Sequence, residues 1–365
     1  MYGVDYNDEK WDELLDQMSV GDMAMLIGKG AFSTVNISSI GKMATREFDG
    51  PSGWNSFMGN TGLRDTNCFY VAECIMGATW NEELAYQMGR MIGNEALVGL
   101  TDGSPMNAWY APAVNIHRSP FGGRNWEYYS EDGLISGRLA TQVILGAKEK
   151  GVVTYLKHFV LNDNETSRDD TGSEAGNARG LGGILVWANE QAMREIYFKP
   201  FEIAVKEGKT TGMMSSFNRV GTEWVGGSYR TLTEVLRNEW GFKGSVITDY
   251  GIYNFVNEDQ MIRAGGDLRL NQDDRPSANA NDATQVACLR RATKNILYAS
   301  AQSNVMDINV LGYKPALWVV GVICADVGLA AAFAVWGALI IYFTLKKEKG
   351  STARTQTVDT TENHE

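Results

Sequence analysis

Apolar and polar positions alternate along this chain in two periods. Apolar residues three or four apart recur in Trp11–Leu26, Asn81–Leu100, Asp132–Lys150, Asn189–Glu207, Leu232–Trp240, Asn257–Ala264 and Asp282–Ala299. That spacing predicts helices with one buried face. Leu14, Leu15, Met18, Met23 and Leu26 make one such stripe, and Leu84, Met88, Met91, Ile92 and Ala96 another. Between the helices lie short apolar runs: Met43–Phe48, Trp109–Val114, Gly151–Leu156, Thr211–Ser216, Gly244–Thr248 and Gly266–Leu270. Their length and flanking turn residues predict strands. Strand, polar loop and helix in repetition predict an α/β protein with a parallel sheet. The size and number of units favour a TIM-type (β/α)8-like barrel over an open doubly wound sheet. No GxGxxG follows the first strand, which argues against a dinucleotide fold. The barrel domain is expected over residues 1–305.

A different pattern closes the chain. Residues 317–345 read LWVVGVICADVGLAAAFAVWGALIIYFTL, with Asp326 the one acidic residue. From Val327 to Leu345 no charge occurs, close to the roughly 20 residues that cross a hydrocarbon core. Lys346, Lys347 and Lys349 follow. This predicts a linker at 306–316, a transmembrane helix at 317–345 and a polar tail at 346–365, disordered after Gly350. By the positive-inside rule the tail is cytoplasmic and the barrel lies outside a cell membrane crossed once. The opening MYGVDYNDEKWDELL is acidic and has no apolar h-region, so no secretory signal is expected. An outside barrel then requires either insertion by the single C-terminal helix or a longer parent protein.

Composition narrows the function classes. Of 365 residues, 44% are hydrophobic and 21% charged, so a folded core is expected. Net charge is −11, which excludes a basic face for nucleic acid. Four cysteines do not make a disulfide scaffold. Cys68 and Cys74 read as packed thiols, and Cys324 falls in the apolar run. Three histidines, His117, His158 and His364, leave little for a His-rich metal site. No metal signature and no GxSxG elbow is present, and no cofactor is expected.

Candidate chemistry gathers where barrel active sites are built, at the C-terminal ends of apolar strands. Asp49, Lys157, His158 and Asp249 each hold such a position. Asp249, in GSVITDYG, reads either as a carboxylate nucleophile or base, or as a cap of the next helix. Lys157 and His158, in YLKHF, read as donors for hydroxyl groups or as a solvated loop pair. GGRNWEYYSED sets Arg124, Glu127, Glu131 and Asp132 among Trp126, Tyr128 and Tyr129. Aromatics beside fixed polar groups suit sugars, while a structural Arg–Glu pair is the bland alternative. Asp49, in FDGPSGW, also suits an Asx-type turn. Glu165 and Arg168 sit in the polar loop Asp163–Asp170.

Several motifs then line up in order: TWNEEL, GNEALVG, APAVNIHRSPFGGRNWEYYSEDG, YLKHFVLNDNETSR, MMSSFNRVG, LTEVLRNEWGFKGSVITDYG and AGGDLRLN. Together they resemble the barrel domain of glycoside hydrolase family 3, retaining β-glucosidases and related exo-acting enzymes, over residues 10 to 300. The resemblance implies that Asp249 is the nucleophile. It implies that Asp49, Arg124, Lys157 and His158 hold the sugar hydroxyls, with Arg168, Met214 and Tyr250 beside them. Tyr250 stands where the family often has Trp, and Phe217 where it often has Tyr.

The implied function is a membrane-anchored retaining β-glycosidase acting on a β-linked glucoside or oligosaccharide. The alternative is a non-catalytic sugar-binding half-enzyme or scaffold. The family's acid/base usually comes from an α/β-sandwich domain. The branch with an Asp–His dyad after Lys-His-Phe is not matched, because residues 160–170 contain no His. A chain ending in barrel plus membrane helix resembles the C-terminal half of a member with inverted domain order. The acid/base is therefore expected on a missing domain, either on a separate polypeptide or in a longer protein of which this chain is a fragment. Within the chain Glu127, Glu165 or Asp170 is the alternative, and spacing selects none of them. Lys157, His158 and Arg168 are expected to lower the pKa of Asp249.

Overall fold

Five strands pair side by side in the order in which the chain makes them. They are β1 (Glu47–Asp49), β2 (Ala108–Tyr110), β3 (Val153–Phe159), β4 (Gly212–Ser215) and β5 (Ser245–Thr248), and every neighbouring pair is parallel. A doubly wound sheet reverses its strand order at a switch point; here the order never reverses. This computed structural model describes residues 1–56, 62–165, 168, 183–251, 255–271, 279–306 and 317–358. They fall in two compact units, Met1–Leu311 and Gly312–Glu365.

Backbone hydrogen bonds turn the sheet into a ring. Thr248 N–H donates to Leu268 O at 2.9 Å, and Leu268 N–H to Val246 O at 3.0 Å. Arg269 N–H then reaches Ile27 O at 2.8 Å, and Gly30 N–H returns to Arg269 O at 2.9 Å. Glu47 N–H donates to Phe32 O at 3.0 Å, which leads back to β1. The fold is a TIM-like barrel with two irregular staves. The strand expected over Gly266–Leu270 is a single bridge at Leu268. The other stave, from Ile27 to Thr34, carries no regular strand. A Cβ on Gly30 would lie 2.5 Å from Arg269 O, so this closure needs glycine.

The helical layer follows the polar caps. Asn81, Asp132, Asn257 and Asp282 each accept backbone N–H bonds at the start of Glu82–Val98, Gly133–Lys148, Glu258–Ala264 and Ala283–Ala301. The first expected helix is two, Lys10–Leu15 and Val20–Gly28. Its apolar stripe is continuous, but Ser19 and Asp22 form a reciprocal capping box that starts a new helix. Glu82–Val98 and Gly133–Lys148 approach closely through glycine. A Cβ on Gly89 would lie 2.2 Å from Val143 O, and one on Gly146 2.3 Å from Tyr86 O. A helix at Glu73–Thr79 and a small sheet of Leu185–Val186, Arg219–Val220 and Glu223–Trp224 were not expected from the pattern.

Among the described residues, the second unit holds one helix, Leu317–Val358, of 42 residues. Its segment Val320–Lys347 is long and apolar enough to cross a membrane. The expected disordered tail is corrected in part, because the helix runs on to Val358. Extending a formed helix adds one backbone bond per residue fixed, so propagation does not stop where the apolar run stops. Residues 307–316 of the expected linker and His364 lie outside the described residues. Cys68 is exposed and so is not the packed thiol expected, whereas Cys74 is half-buried. Cys68 lies in a surface loop, where its N–H donates to Glu95.

Candidate active site

A cavity of about 280 Å³ opens at the C-terminal ends of the strands. It brings together all eight residues singled out from the sequence: Asp49, Arg124, Lys157, His158, Arg168, Met214, Asp249 and Tyr250. Phe32, Tyr110, Glu165, Phe217 and Leu270 complete its wall. Asp49 ends β1, Lys157 and His158 lie near the end of β3, Met214 belongs to β4, and Asp249 directly follows β5. Arg124 comes from the loop after β2.

Neighbouring strand residues ordinarily face opposite sides. Lys157 and His158 both line the cavity because β3 loses its regular register between Leu156 and Phe159. The Asn115 side chain fixes this stretch, accepting from His158 N–H at 2.8 Å and donating to His158 O at 3.0 Å. Each of the two side chains is 2–3% exposed, which replaces the reading of a solvated loop pair.

Cations and carboxylates alternate around the wall. Lys157 Nζ lies 2.7 Å from Asp49 Oδ1 and 3.4 Å from Glu127 Oε1. Arg124 grips Glu127 with both ends of its fork, Nε to Oε2 at 2.9 Å and Nη2 to Oε1 at 2.7 Å. Arg168 Nη1 donates to Glu165 Oε1 at 2.7 Å, and its guanidinium lies 4.9 Å over the Phe217 ring. Burial disfavours charge on both Asp49 and Lys157, but each supplies the other's counter-charge. Asp49 is therefore held below, and Lys157 above, its ordinary value.

Asp249 behaves differently. Its Oδ1 accepts from Tyr250 N–H at 2.7 Å. Its Oδ2 is buried and has no hydrogen-bond partner. Burial raises its pKa and outweighs Arg124, Arg168, the Tyr250 N–H and Lys157, which pull it down. The expected depression is thereby corrected: among the described residues no cation touches this carboxylate, and Lys157, Arg124 and Arg168 each have a nearer carboxylate partner. His158 is also not the cation expected. Burial, then Arg124, Lys157 and Arg168, push its pKa well below the ordinary histidine value, so the ring is neutral at pH 7. Its Nε2 lies 3.8 Å from Asp249 Oδ2.

Residues 60–287 match the glycosyl hydrolase family 3 N terminal domain. The chain belongs to glycosyl hydrolase family 3. Beta-glucosidase A of Butyrivibrio fibrisolvens is 32% identical over 266 residues, which are 71% of this chain and 29% of that protein. A beta-glucosidase of Rhizobium radiobacter is 34% identical over 260 residues, again 71% of this chain and 29% of that protein. Beta-glucosidase 3B of Thermotoga neapolitana, solved with glycerol, superposes with a TM-score of 0.70 at 28% identity, covering 85% of this chain and 45% of its own. The Bifidobacterium adolescentis GH3 beta-glucosidase gives 0.69 at 26%, covering 82% and 42%. The chain thus spans under a third of the curated relatives named and under half of these solved chains.

Within this family 3 barrel, sequence reasoning missed how the cavity is braced. Glu127 is buried and committed to Arg124 and Lys157. Glu165 is committed to Arg168 and lies 3.4 Å from Arg124. Both Glu127 oxygens are thus taken, whereas the two arginine contacts of Glu165 fall on the same oxygen, Oε1. Asp170 lies outside the described residues. Glu73, fully buried behind this network, accepts from Ala113 N–H with both oxygens at 3.1 Å. Burial holds its pKa well above the carboxylate range. The Arg124–Glu127 and Glu165–Arg168 pairs are local, three residues apart, but no local pattern announces the reach of Glu127 to Lys157 or of Glu73 to Ala113.

Proposed function

We propose that this chain is the sugar-binding and nucleophile-bearing part of a retaining β-glycosidase acting on β-glucosides. The observation that carries the reading is the partnerless, buried Oδ2 of Asp249 at the wall of a cavity rich in hydrogen-bonding groups. A carboxylate oxygen with no donor keeps its lone pairs for attack on the anomeric carbon. In this reading Asp49, Arg124, Lys157, His158 and Arg168 hold the hydroxyls, and Met214 and Tyr250 shape the wall. The names of the relatives support β-glucosides as the substrate.

The attack forms a bond between Asp249 Oδ2 and the anomeric carbon, and the bond from that carbon to the leaving oxygen breaks. Water later cleaves the glycosyl ester. A retaining site needs a second carboxyl group about 5–5.5 Å from the first, to protonate the leaving oxygen. Glu127 has both oxygens engaged, by Arg124 and Lys157, and Glu165 is tied through Oε1 to two arginines, which supports an acid/base from outside this barrel, for instance an α/β-sandwich domain. The helix Leu317–Val358 is the proposed anchor, crossing the bilayer once with Lys346 and Lys347 on the cytoplasmic side.

The test is intact mass of the full chain, in detergent, after incubation with an activated 2-deoxy-2-fluoro-β-glucoside. A one-sugar adduct that Asp249→Ala abolishes is the expected result. Binding of glucose without any adduct supports the sugar-binding scaffold instead. Glucosides with good leaving groups are expected to react far better than alkyl glucosides, since general acid catalysis contributes roughly 10²–10⁴-fold.

A further inference from the structure

The two ring nitrogens of His158 face different partners. Arg124 Nη2 lies 3.1 Å from Nε2. A guanidinium has only donors, so Nε2 must accept. A neutral ring then carries its single proton on Nδ1. That nitrogen faces Tyr128 Oη at 3.4 Å, a long contact. The phenol is itself held from two sides. Tyr128 O–H donates to Asn162 O at 3.0 Å, and Asn162 Nδ2–H donates to Tyr128 Oη at 3.1 Å. The phenol's proton is thus committed, and its remaining lone pair faces the His158 Nδ1–H. Tyr128, Asn162 and His158 are all buried, so water does not substitute for any member.

The alternative tautomer has a specific consequence. A proton on Nε2 would face Arg124 and, 3.8 Å away, the open Oδ2 of Asp249. A small rotation would let it donate to that oxygen and occupy the lone pair needed for attack. We propose that Tyr128, clamped by Asn162, is a positioning residue that holds His158 as the Nδ1–H tautomer and so keeps the nucleophile free of a donor. The consequence for attack rests on the nucleophile reading above; the tautomer assignment does not.

The experiment uses the full chain, labelled with ¹⁵N-histidine, in detergent at pH 7.5. Long-range ¹H–¹⁵N spectra report the tautomer of each ring, and His158→Gln identifies its signals. The wild type is expected to show the Nδ1–H form at His158, and Tyr128→Phe a shift toward the Nε2–H form. Inactivation kinetics with the activated 2-fluoro-glucoside read the attack directly. Tyr128→Phe is expected to lower the maximal inactivation rate about tenfold with little change in the half-saturating concentration, the scale of one hydrogen bond to a charged group. Asn162→Asp, which lacks the amide donor, is the second variant, and its expected effect lies in the same direction. An Nε2–H ring in the wild type overturns the proposal without any variant. So does an unchanged tautomer in a folded Tyr128→Phe, or a loss seen only in the half-saturating concentration. A wild type that forms no adduct yet shows the Nδ1–H ring sinks the nucleophile reading and leaves the tautomer lock standing.

Discussion

Lys157 and Asp49, 108 residues apart in sequence, meet at 2.7 Å inside the cavity and set each other's charge. Lys157 is almost wholly buried, whereas a third of the Asp49 side chain remains exposed. The pair is therefore asymmetric. Removing the aspartate strands a buried ammonium, with Glu127 at 3.4 Å as its remaining close carboxylate.

Asp49→Ala is expected to cost about 2 kcal/mol, below the 3–5 kcal/mol of a fully buried broken pair because Asp49 is partly solvated. Denaturant melts of the barrel's transition at pH 7 measure it. A loss under about 0.5 kcal/mol contradicts the asymmetry. Glucose affinity is expected to fall with it.

The raised pKa of Asp249 makes a pH prediction. Its folded value lies above its unfolded value, so its favourable contribution is full below the unfolded value of about 3.9 and is lost as pH rises through the folded value. At pH 7 Asp249→Asn is thus expected to be more stable than the wild type, with the advantage shrinking as pH is lowered toward 4. Inactivation by the 2-fluoro-glucoside is expected to rise with pH through a value above 3.9. An acid limb at or below that value would contradict the desolvation argument.

His158 has the opposite sign. Its folded value lies well below the unfolded 6.5 or so, and the ring stays neutral when folded. Stability from this residue is present above 6.5 and is lost as pH falls below it, because the unfolded chain takes up a proton that the folded chain refuses. Denaturant midpoints from pH 7.5 to 5.5 are expected to drop in the wild type. The drop should be smaller in His158→Gln.

The close approach of Glu82–Val98 and Gly133–Lys148 is equally testable. A methyl group at position 89 meets a backbone oxygen, which cannot swing away as a side chain can. Gly89→Ala is expected to destabilise by about 1–3 kcal/mol despite the better helix propensity of alanine. An increase in melting temperature would show that the helices separate freely.

Much of the scaffold was legible because burial imposes a period. Every regular barrel strand overlaps an apolar run, and five predicted helix starts, at Asn81, Asp132, Asn189, Asn257 and Asp282, are the observed caps. The strand-end acids and bases stood out because a charged residue closing an apolar run needs a reason. Other features depended on context the chain does not display locally. Ser19 splits one apolar stripe by a bond to Asp22. The stave at Leu268 is thinned to a bridge because its neighbour, Ile27–Thr34, is irregular. The charge states of Asp249 and His158 were misjudged because spacing reveals which charges are near and not how completely water is excluded. Glu73 was passed over because its partner, Ala113, comes from another element, and the contact of Glu127 with Lys157 was hidden for the same reason.

The ring of backbone bonds carries one more implication. The stave made first by the chain, Ile27–Thr34, is seated between β1 and the stave at Leu268–Leu270. Residues 27–34 therefore wait, during synthesis, for a partner some 240 positions later. The cavity's rim, which takes Asp49 from one end of that span and Asp249 from the other, comes into existence at closure and not piecemeal. A ribosome-bound chain halted before residue 268 has emerged would carry both aspartates and hold no site.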